Sequence, residues 1–445
     1  MKSYSSYKDS GVEWIGNIPS DWGNTKLKYV SQLFTGNSLN DEQKKLYESE
    51  NLNDIPYVSS KDIDVDFRTV NYDNGLRIPR DNNPLKISPT GSFLLCVEGG
   101  SSGRKMVFLD RDVCFVNKLC SFYSSQNTKF QYYFVQSSNF QDKFKLSLTG
   151  LIGGVSISTL KNFELPLPPI PEQTQIVSFL DTKTQKIDEL IEKTEQKIEL
   201  LKEKRTSLIN HCVTKGLNPN VEMKDSGVEW IGEIPSGWDV KKLKYVSDIF
   251  SSSVDRHIHE DEIQVSICHY PDVYNNEFIN DEIELNKGSC SEVEFQRYIL
   301  KKGLVILTKD SETPDDIGNP CYVEIDFDNV VCGYHLTIIE NNDINVNSKF
   351  LFRFIQSDKV RCHFETESRG ITRFSLGKSK IENLFVNLPS YSEQTQIVEY
   401  LDEQTQKIDS TIEKETQRTE LLKEYRQSLI SEVVTGKIDV RDYNG

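Results

Sequence analysis

One stretch of text occurs twice in this chain and limits its fold more than any other feature. Residues 172–215 read EQTQIVSFLDTKTQKIDELIEKTEQKIELLKEKRTSLINHCVTK, and about 221 residues later, from Glu393, the chain reads EQTQIVEYLDEQTQKIDSTIEKETQRTELLKEYRQSLISEVVT. Each copy runs for about 43 residues without glycine or proline. Rich in Glu, Lys, Gln and Leu, each predicts one uninterrupted helix, a rod of roughly 65 Å at about 1.5 Å per residue. Ile176, Leu180, Ile187, Leu190, Ile191, Ile198, Leu201, Leu208 and Cys212 fall three and four apart, and Ile397, Leu401, Ile408, Ile412, Leu422, Leu429 and Val433 repeat the stripe. A narrow apolar seam with charge on the other faces is the pattern of a two-helix coiled coil, so the rods are expected to bury their seams against each other. Unrelated solvated helices would not keep EQTQIV, TQKID, ELLKE and R-x-SLI in register.

The duplication extends beyond the rods. DSGVEWIGNIPSDW at residues 9–22 recurs as DSGVEWIGEIPSGW at residues 225–238, and KLKYV follows each, at residues 26–30 and 242–246. All four tryptophans lie in these boxes. Gly11, Gly16, Pro19 and their counterparts Gly227, Gly232 and Pro235 make the boxes turn-rich. Trp14, Ile15, Trp22 and Trp230, Ile231, Trp238 are apolar anchors, which predicts a docking role. The first rod runs on into the second box, whereas the second rod is followed by VTGKIDVRDY. A pseudo-two-fold repeat therefore predicts that residues 9–22 dock near the end of the second rod, with the tail 436–445 packed near the N-terminus.

Between each box and its rod lies a longer insert. In the first, about 140 residues long, DIPYVSSKDI, GSFLLCVEGG, KMVFLD and DVCFVNKLCSFYS read as strands and FQYYFVQSSNFQDKF as a short amphipathic helix. LTGLIGGVSISTLKNFELPLPPIP then closes the insert, its prolines 166, 168, 169 and 171 stopping where the rod begins. The second insert, residues 241–388, has the same plan in different text: GLVILTKD, NPCYVEID and NVVCGYHLTIIE strand-like, KFLFRFIQSDKVRCHF helical, SRGITRFSLGKSKIENLFVNLP closing. A frame kept nearly identical around two divergent inserts reads as a scaffold presenting two different recognition surfaces.

At 445 residues the chain has room for at least two domains. No apolar run approaches the roughly 20 residues that cross a bilayer, and MKSYSSYKDSGVEWIG lacks a signal peptide's apolar core, which predicts a cytoplasmic protein. Nine cysteines without a C-x-x-C pair predict reduced, mostly buried thiols. His257, His259, Cys268 and His269 carry metal-ligand chemistry at a spacing that matches no zinc pattern. The net charge of −16 argues against strong nonspecific nucleic-acid affinity. Residues 26–165 are nearly neutral, with about 17 Lys/Arg against 15 Asp/Glu, while residues 241–388 hold about 17 against 25. Any DNA contact must rest on local basic faces.

Signatures of catalysis are absent from the sequence. There is no F-x-G-x-G cofactor loop, no [DNS]-P-P-[FYW] motif, no phosphate loop and no nucleophile elbow. Asn319, Pro320, Cys321 and Tyr322 imitate the second motif with a cysteine in place of a proline. Asp315, Asp316 and Glu324 are the nearest approach to a nuclease site and lack its lysine. The binding candidates are loop residues: Arg104 and Lys105 after the flexible GGSSG turn, Asn117 and Lys118 beyond a strand, and Arg369, Thr372, Arg373 and Lys378 in the second insert, with Lys380 beyond. Arginine reads guanine with two bonds, asparagine reads adenine, and either can hold phosphate.

With these residues in view, the chain resembles the DNA-specificity subunit of type I restriction–modification enzymes over essentially its whole length. The resemblance is carried by the DSGVEWIG-x-IPS-x-W box, the LPxPPIPEQTQIV approach to the long helix, TKDSETPDDIGNP at residues 308–320, and the R-x-SLI…VTGKIDVRD ending. It implies an α+β fold of two globular, mixed α/β target recognition domains joined by two long antiparallel helices in a coiled coil. On this reading residues 1–171 hold the first box and recognition domain, 172–215 the first spacer helix, 216–392 the linker, second box and second recognition domain, 393–435 the second spacer helix, and 436–445 the tail. It further implies a noncatalytic subunit with no cofactor of its own. Its partners would be double-stranded DNA with a bipartite target, two modification subunits that use S-adenosylmethionine, and restriction subunits that use ATP and Mg. The chain departs from the pattern in its acidic second insert and in keeping only Pro389 before the second rod. The residues alone leave open a coiled-coil scaffold with two protein-binding modules.

Overall fold

The computed structural model describes residues 2–49, 51–66, 68–81, 83–124, 126–150 and 153–443. They form two units: Met1–Gln196 with Glu415–Gly445, and Lys197–Lys414. The repeated text forms the helices Ile170–Lys215 and Tyr391–Val434, so each unit contains a piece of both. Each begins two residues before EQTQIV. Pro171 is accommodated because the first turn has no use for its missing N–H.

In the first unit the strands Ser31–Thr35, Leu119–Ser124, Phe93–Cys96 and Met106–Phe108 form one antiparallel sheet. A second sheet runs Arg77–Ile78, Ile55–Val58, Val113–Phe115, Ile87–Ser88, and its central pair is parallel. The second unit repeats the plan: Ser247–Ser251, Leu336–Asn341, Val305–Thr308 and Pro320–Val323 match the first sheet, and Ile263–Cys268 pairs in parallel with Val330–Cys332. Each unit is thus a mixed α/β copy of one architecture.

Three expectations are corrected. DVCFVNKLCSFYS and NVVCGYHLTIIE are each two strands, because a turn at residues 116–118 or 333–335 carries the chain from one sheet to the next. The helical segments are each two helices, Thr128–Gln136 with Ser138–Leu146 and Ser348–Ile355 with Asp358–Glu367. Ser137 and Ser357 break them by adopting extended backbone, and Ser137 caps the helix after it by accepting the Phe140 N–H. Finally, Leu190, assigned to the apolar stripe, is 42% exposed, while Thr184, Thr194, Thr405 and Thr419 are buried. A threonine can enter a seam because its hydroxyl bonds the carbonyl one turn back, as Thr194 does to Leu190 O at 2.7 Å and Thr405 to Leu401 O at 2.8 Å.

Many of the stripe residues join the core of their own unit. Ile176, Leu180, Ile187 and Ile191 pack in one cluster with Leu429 and Val433, together with Trp22, Phe134 and Phe140. In the second unit Cys212 and Val213 cluster with Ile397, Leu401, Trp238 and Phe350. In the first unit the tail returns to the N-terminal segment: Asp439 N–H donates to Lys2 O at 2.9 Å, and Tyr443 meets Phe179 edge-on. Eight cysteines are buried and Cys362 is exposed. Among the described residues no helix is long and apolar enough to cross a membrane, and no cluster of His, Cys, Asp or Glu is arranged to hold a metal ion.

Candidate functional site

In each unit three loops meet beyond the ends of the two central strands, joined by the same backbone bonds. In the first unit Val97 N–H donates to Lys118 O and Val155 N–H donates to Val97 O, both at 2.9 Å. In the second, Lys309 N–H donates to His335 O at 3.2 Å and Leu376 N–H to Lys309 O at 2.8 Å. Strand register fixes the equivalence, since Leu119 faces Cys96 as Leu336 faces Thr308. Lys118 therefore corresponds to His335, Val97 to Lys309, Glu98 to Asp310 and Gly154 to Ser375. One backbone joint is present twice with different side chains on it.

A cleft lies at each joint. The first, about 590 Å³, is bordered by Glu98, Asn117, Thr149, the Gly153–Gly154 loop and Ser156. The second, about 1270 Å³, is bordered by Arg256, Tyr270, Lys287, His335, Thr372 and Arg373, among others. Here His335 is held in the left-handed region at φ +66°, a conformation that costs a non-glycine residue about 1 kcal/mol or more. Its Nδ1 meets Asp310 Oδ2 at 2.6 Å, and its ring lies 4.1 Å from that of Tyr334. Arg256 donates to the Tyr334 hydroxyl at 2.8 Å. Two of the acids around this cleft have internal partners, Asp272 accepting the His269 N–H at 2.7 Å and Asp316 accepting from Asn319 at 3.1 Å, while Glu312 is exposed at its edge. A hydrogen bond to Asp316 pushes the Tyr274 hydroxyl pKa up. Burial lowers the His269 pKa, with Asp272 opposing and Arg256 assisting. Rings and cations in one open cleft can stack on bases and hold phosphates.

The residues singled out from sequence are placed unequally. Asn117 borders the first cleft, and Thr372 and Arg373 border the second. Lys118 is exposed in the same turn as Asn117, and Arg369 is exposed on the hairpin that carries Thr372 and Arg373. Arg104 is exposed, with one nitrogen bonded to Gly100 O at 2.6 Å. Lys105 instead fastens its loop to Ser60 O at 2.8 Å, and Lys378 pairs with Glu382 at 3.3 Å. Sequence reasoning passed over Tyr334, His335 and Arg256. The signal was present, because VCFVNKL and VVCGYHL align strand for strand and put Tyr334 and His335 opposite Asn117 and Lys118.

The type I restriction modification DNA specificity domain matches the chain twice, over residues 19–200 and 235–423. The chain belongs to this family. It is a type I specificity subunit with two specificity domains, each containing one three-loop joint. It is similar to the type I restriction enzyme MjaVIII specificity subunit of Methanocaldococcus jannaschii, 23% identical over 446 residues that cover 96% of this chain and 95% of that one. The MjaIX specificity subunit of the same organism is 22% identical, covering 96% of each. Among solved structures, a chain described under complex assembly and conformational transition of the type I R-M system superimposes with a TM-score of 0.71 at 13% identity, covering 95% of this chain and 99% of that one. The HsdS subunit from Thermoanaerobacter tengcongensis gives 0.50 at 14% identity, covering 95% and 98%. These likenesses are of fold.

Proposed function

We propose that each specificity domain of this subunit reads one half of a bipartite double-stranded DNA target through its cleft. The subunit itself does no chemistry. The observation that carries the reading is the duplicated joint, closed by the same two backbone hydrogen bonds in each domain but with different side chains on it, which is what two readers of unlike half-sites require. In the first domain Asn117, Lys118 and Arg104 are the reading and phosphate-holding groups. In the second they are His335, Arg256, Arg369, Thr372 and Arg373. Lys105 holds its loop to Ser60, and Lys378 pairs with Glu382 inside its own short helix.

The two long helices pair antiparallel as a coiled-coil spacer and dock two modification subunits. Cross-helix ion pairs within each unit support the pairing, Asp188 with Arg426 and Arg205 with Asp409. Rods of roughly 65 Å are long enough for two readers to meet DNA about one 34 Å turn or more apart. S-adenosylmethionine belongs to the modification subunits, and ATP and Mg to restriction subunits. Footprinting of the complex assembled with modification subunits tests the proposal. Protection of two short blocks separated by an unprotected spacer is expected, and a continuous footprint or none would refute it.

A further inference from the structure

The two domains differ where they read, yet one exposed cluster is the same in both. Lys28 Nζ donates to Asn162 Oδ1 at 3.1 Å and lies 5.1 Å from the centre of the Tyr29 ring. Lys244 Nζ donates to Asn383 Oδ1 at 3.2 Å and lies 5.4 Å from the Tyr245 ring. Each asparagine is oriented by the same further bond, its Nδ2 donating at 2.8 Å to the carbonyl four residues back, Ser158 or Ser379. Tyr29 is 73% exposed and Tyr245 67%. Rings that open add little to a core, and holding a lysine in one place costs side-chain entropy that no burial offsets. The duplication therefore points to something outside the chain.

We infer that each cluster is a clamp for the DNA phosphodiester backbone beside its reading cleft, an inference that rests on the proposed reading of DNA. A base reader must differ between unlike half-sites, whereas the phosphate is the same group in both. The phosphate backbone is one of the partners that both domains share, and the cationic character of the cluster favours it over a modification subunit. The donors suit that anion: an ammonium held by an asparagine and a tyrosine hydroxyl in both domains, joined in the second domain alone by Lys242, which also donates to Asn383 at 3.1 Å, whereas its counterpart Lys26 pairs with Glu164. Position suits it too. Ser156 and Ile157 border the first cleft, and the helix Ile157–Leu160 ends two residues before Asn162. In the second domain Leu376, bonded to Lys309 at the joint, leads into the helix Lys378–Glu382 and then Asn383. In a chain of net charge −16, such a local cationic site is what backbone binding needs.

The test uses the full-length chain assembled with modification subunits, comparing wild type with Lys28→Gln/Tyr29→Ala, with the Lys244→Gln/Tyr245→Ala pair, and with Lys28→Arg as the charge-keeping control. Assembly is followed by size exclusion, duplex affinity over a range of salt, and sequence preference by mapping methylated adenines. Each double variant is expected to assemble normally and methylate the same sequence while binding about three- to tenfold more weakly with a shallower salt dependence, and Lys28→Arg to stay near wild type. Unchanged affinity, lost assembly or a changed target base would each overturn the clamp, the second by marking a protein-docking surface. A wild-type complex without a split target would refute the function proposed above, and its affinity and salt dependence would still report on the clamp.

Discussion

Asp188 and Arg426 are joined by two parallel bonds, Nε to Oδ1 at 2.7 Å and Nη2 to Oδ2 at 3.2 Å. Asp409 and Arg205, which hold the same places in the repeated text, form the pair again in the other unit, Nε to Oδ1 at 2.8 Å and to Oδ2 at 3.1 Å. The helix that supplies the acid in one unit supplies the base in the other. TQKID and R-x-SLI thus keep their register because each copy must present both halves of the pair.

Arg426→Ala should lower stability by about 1 kcal/mol, since a forked ion pair is stronger than a single bond but Asp188 is 38% exposed and screened. Hydrogen exchange should quicken around residues 183–196 and 420–430. The exchange Asp188→Arg with Arg426→Asp should restore much of the loss, and equal loss in the single and exchanged variants would show that packing, not pairing, decides.

Gly436 should tolerate no side chain. It sits at φ +75°, and a Cβ there would lie 2.3 Å from Pro19 Cδ and 3.2 Å from Trp22. Gly436→Ala should cost roughly 2 kcal/mol or more through the clash and the left-handed backbone together. Gly11→Ala, at φ +73° with nothing within 4 Å, should cost about 1 kcal/mol, and thermal unfolding of the two variants separates the effects.

The second unit should be the more sensitive to mild acid. All six histidines lie within Lys197–Lys414, and burial is the largest cause lowering the pKa of both His269 and His363. A lowered folded pKa means that the unfolded chain binds protons first. Stability from these groups is therefore complete above their ordinary value of 6.5 and is lost as pH falls below it. His363 stacks on Trp230 at 4.5 Å, so tryptophan fluorescence on titration from pH 7.5 to about 5 should change in wild type and much less in His363→Phe.

His335 should govern the second half-site alone. With Nδ1 held by Asp310, its other ring nitrogen is the one that can face a base. His335→Ala should alter the methylated sequence in one half and leave the other intact, and Asp310→Asn should blur the same position while binding persists. Loss of both halves together would assign the pair a structural role.

Much of this organisation was legible in the sequence. The two helices, the duplicated boxes and the order of elements follow from periodicity and literal repetition, which survive in text because a frame needs the same residues each time. The joint was harder to see. Tyr334 and His335 lie in a turn inside an apolar run, and the run reads as one strand because the turn is three residues long and a lone Gly333, like the lone Asn117 in the first domain, is too little to mark it. Ser137 and Ser357 hid similarly, since one residue of extended backbone breaks a helix without disturbing composition. The threonines of the seam were missed because a bonded hydroxyl counts as polar in a hydropathy pattern and as filler in a core.

The central claim, that each specificity domain reads its own half of a split target, is tested most directly by exchanging the second domain's cleft loops, residues 252–262, 309–319, 333–335 and 368–377, for those of a relative with a different target, and sequencing methylated adenines in a host carrying the assembled complex. The account predicts a target whose first half and spacer are unchanged and whose second half is that of the donor. A target altered in both halves, or in neither, would contradict it.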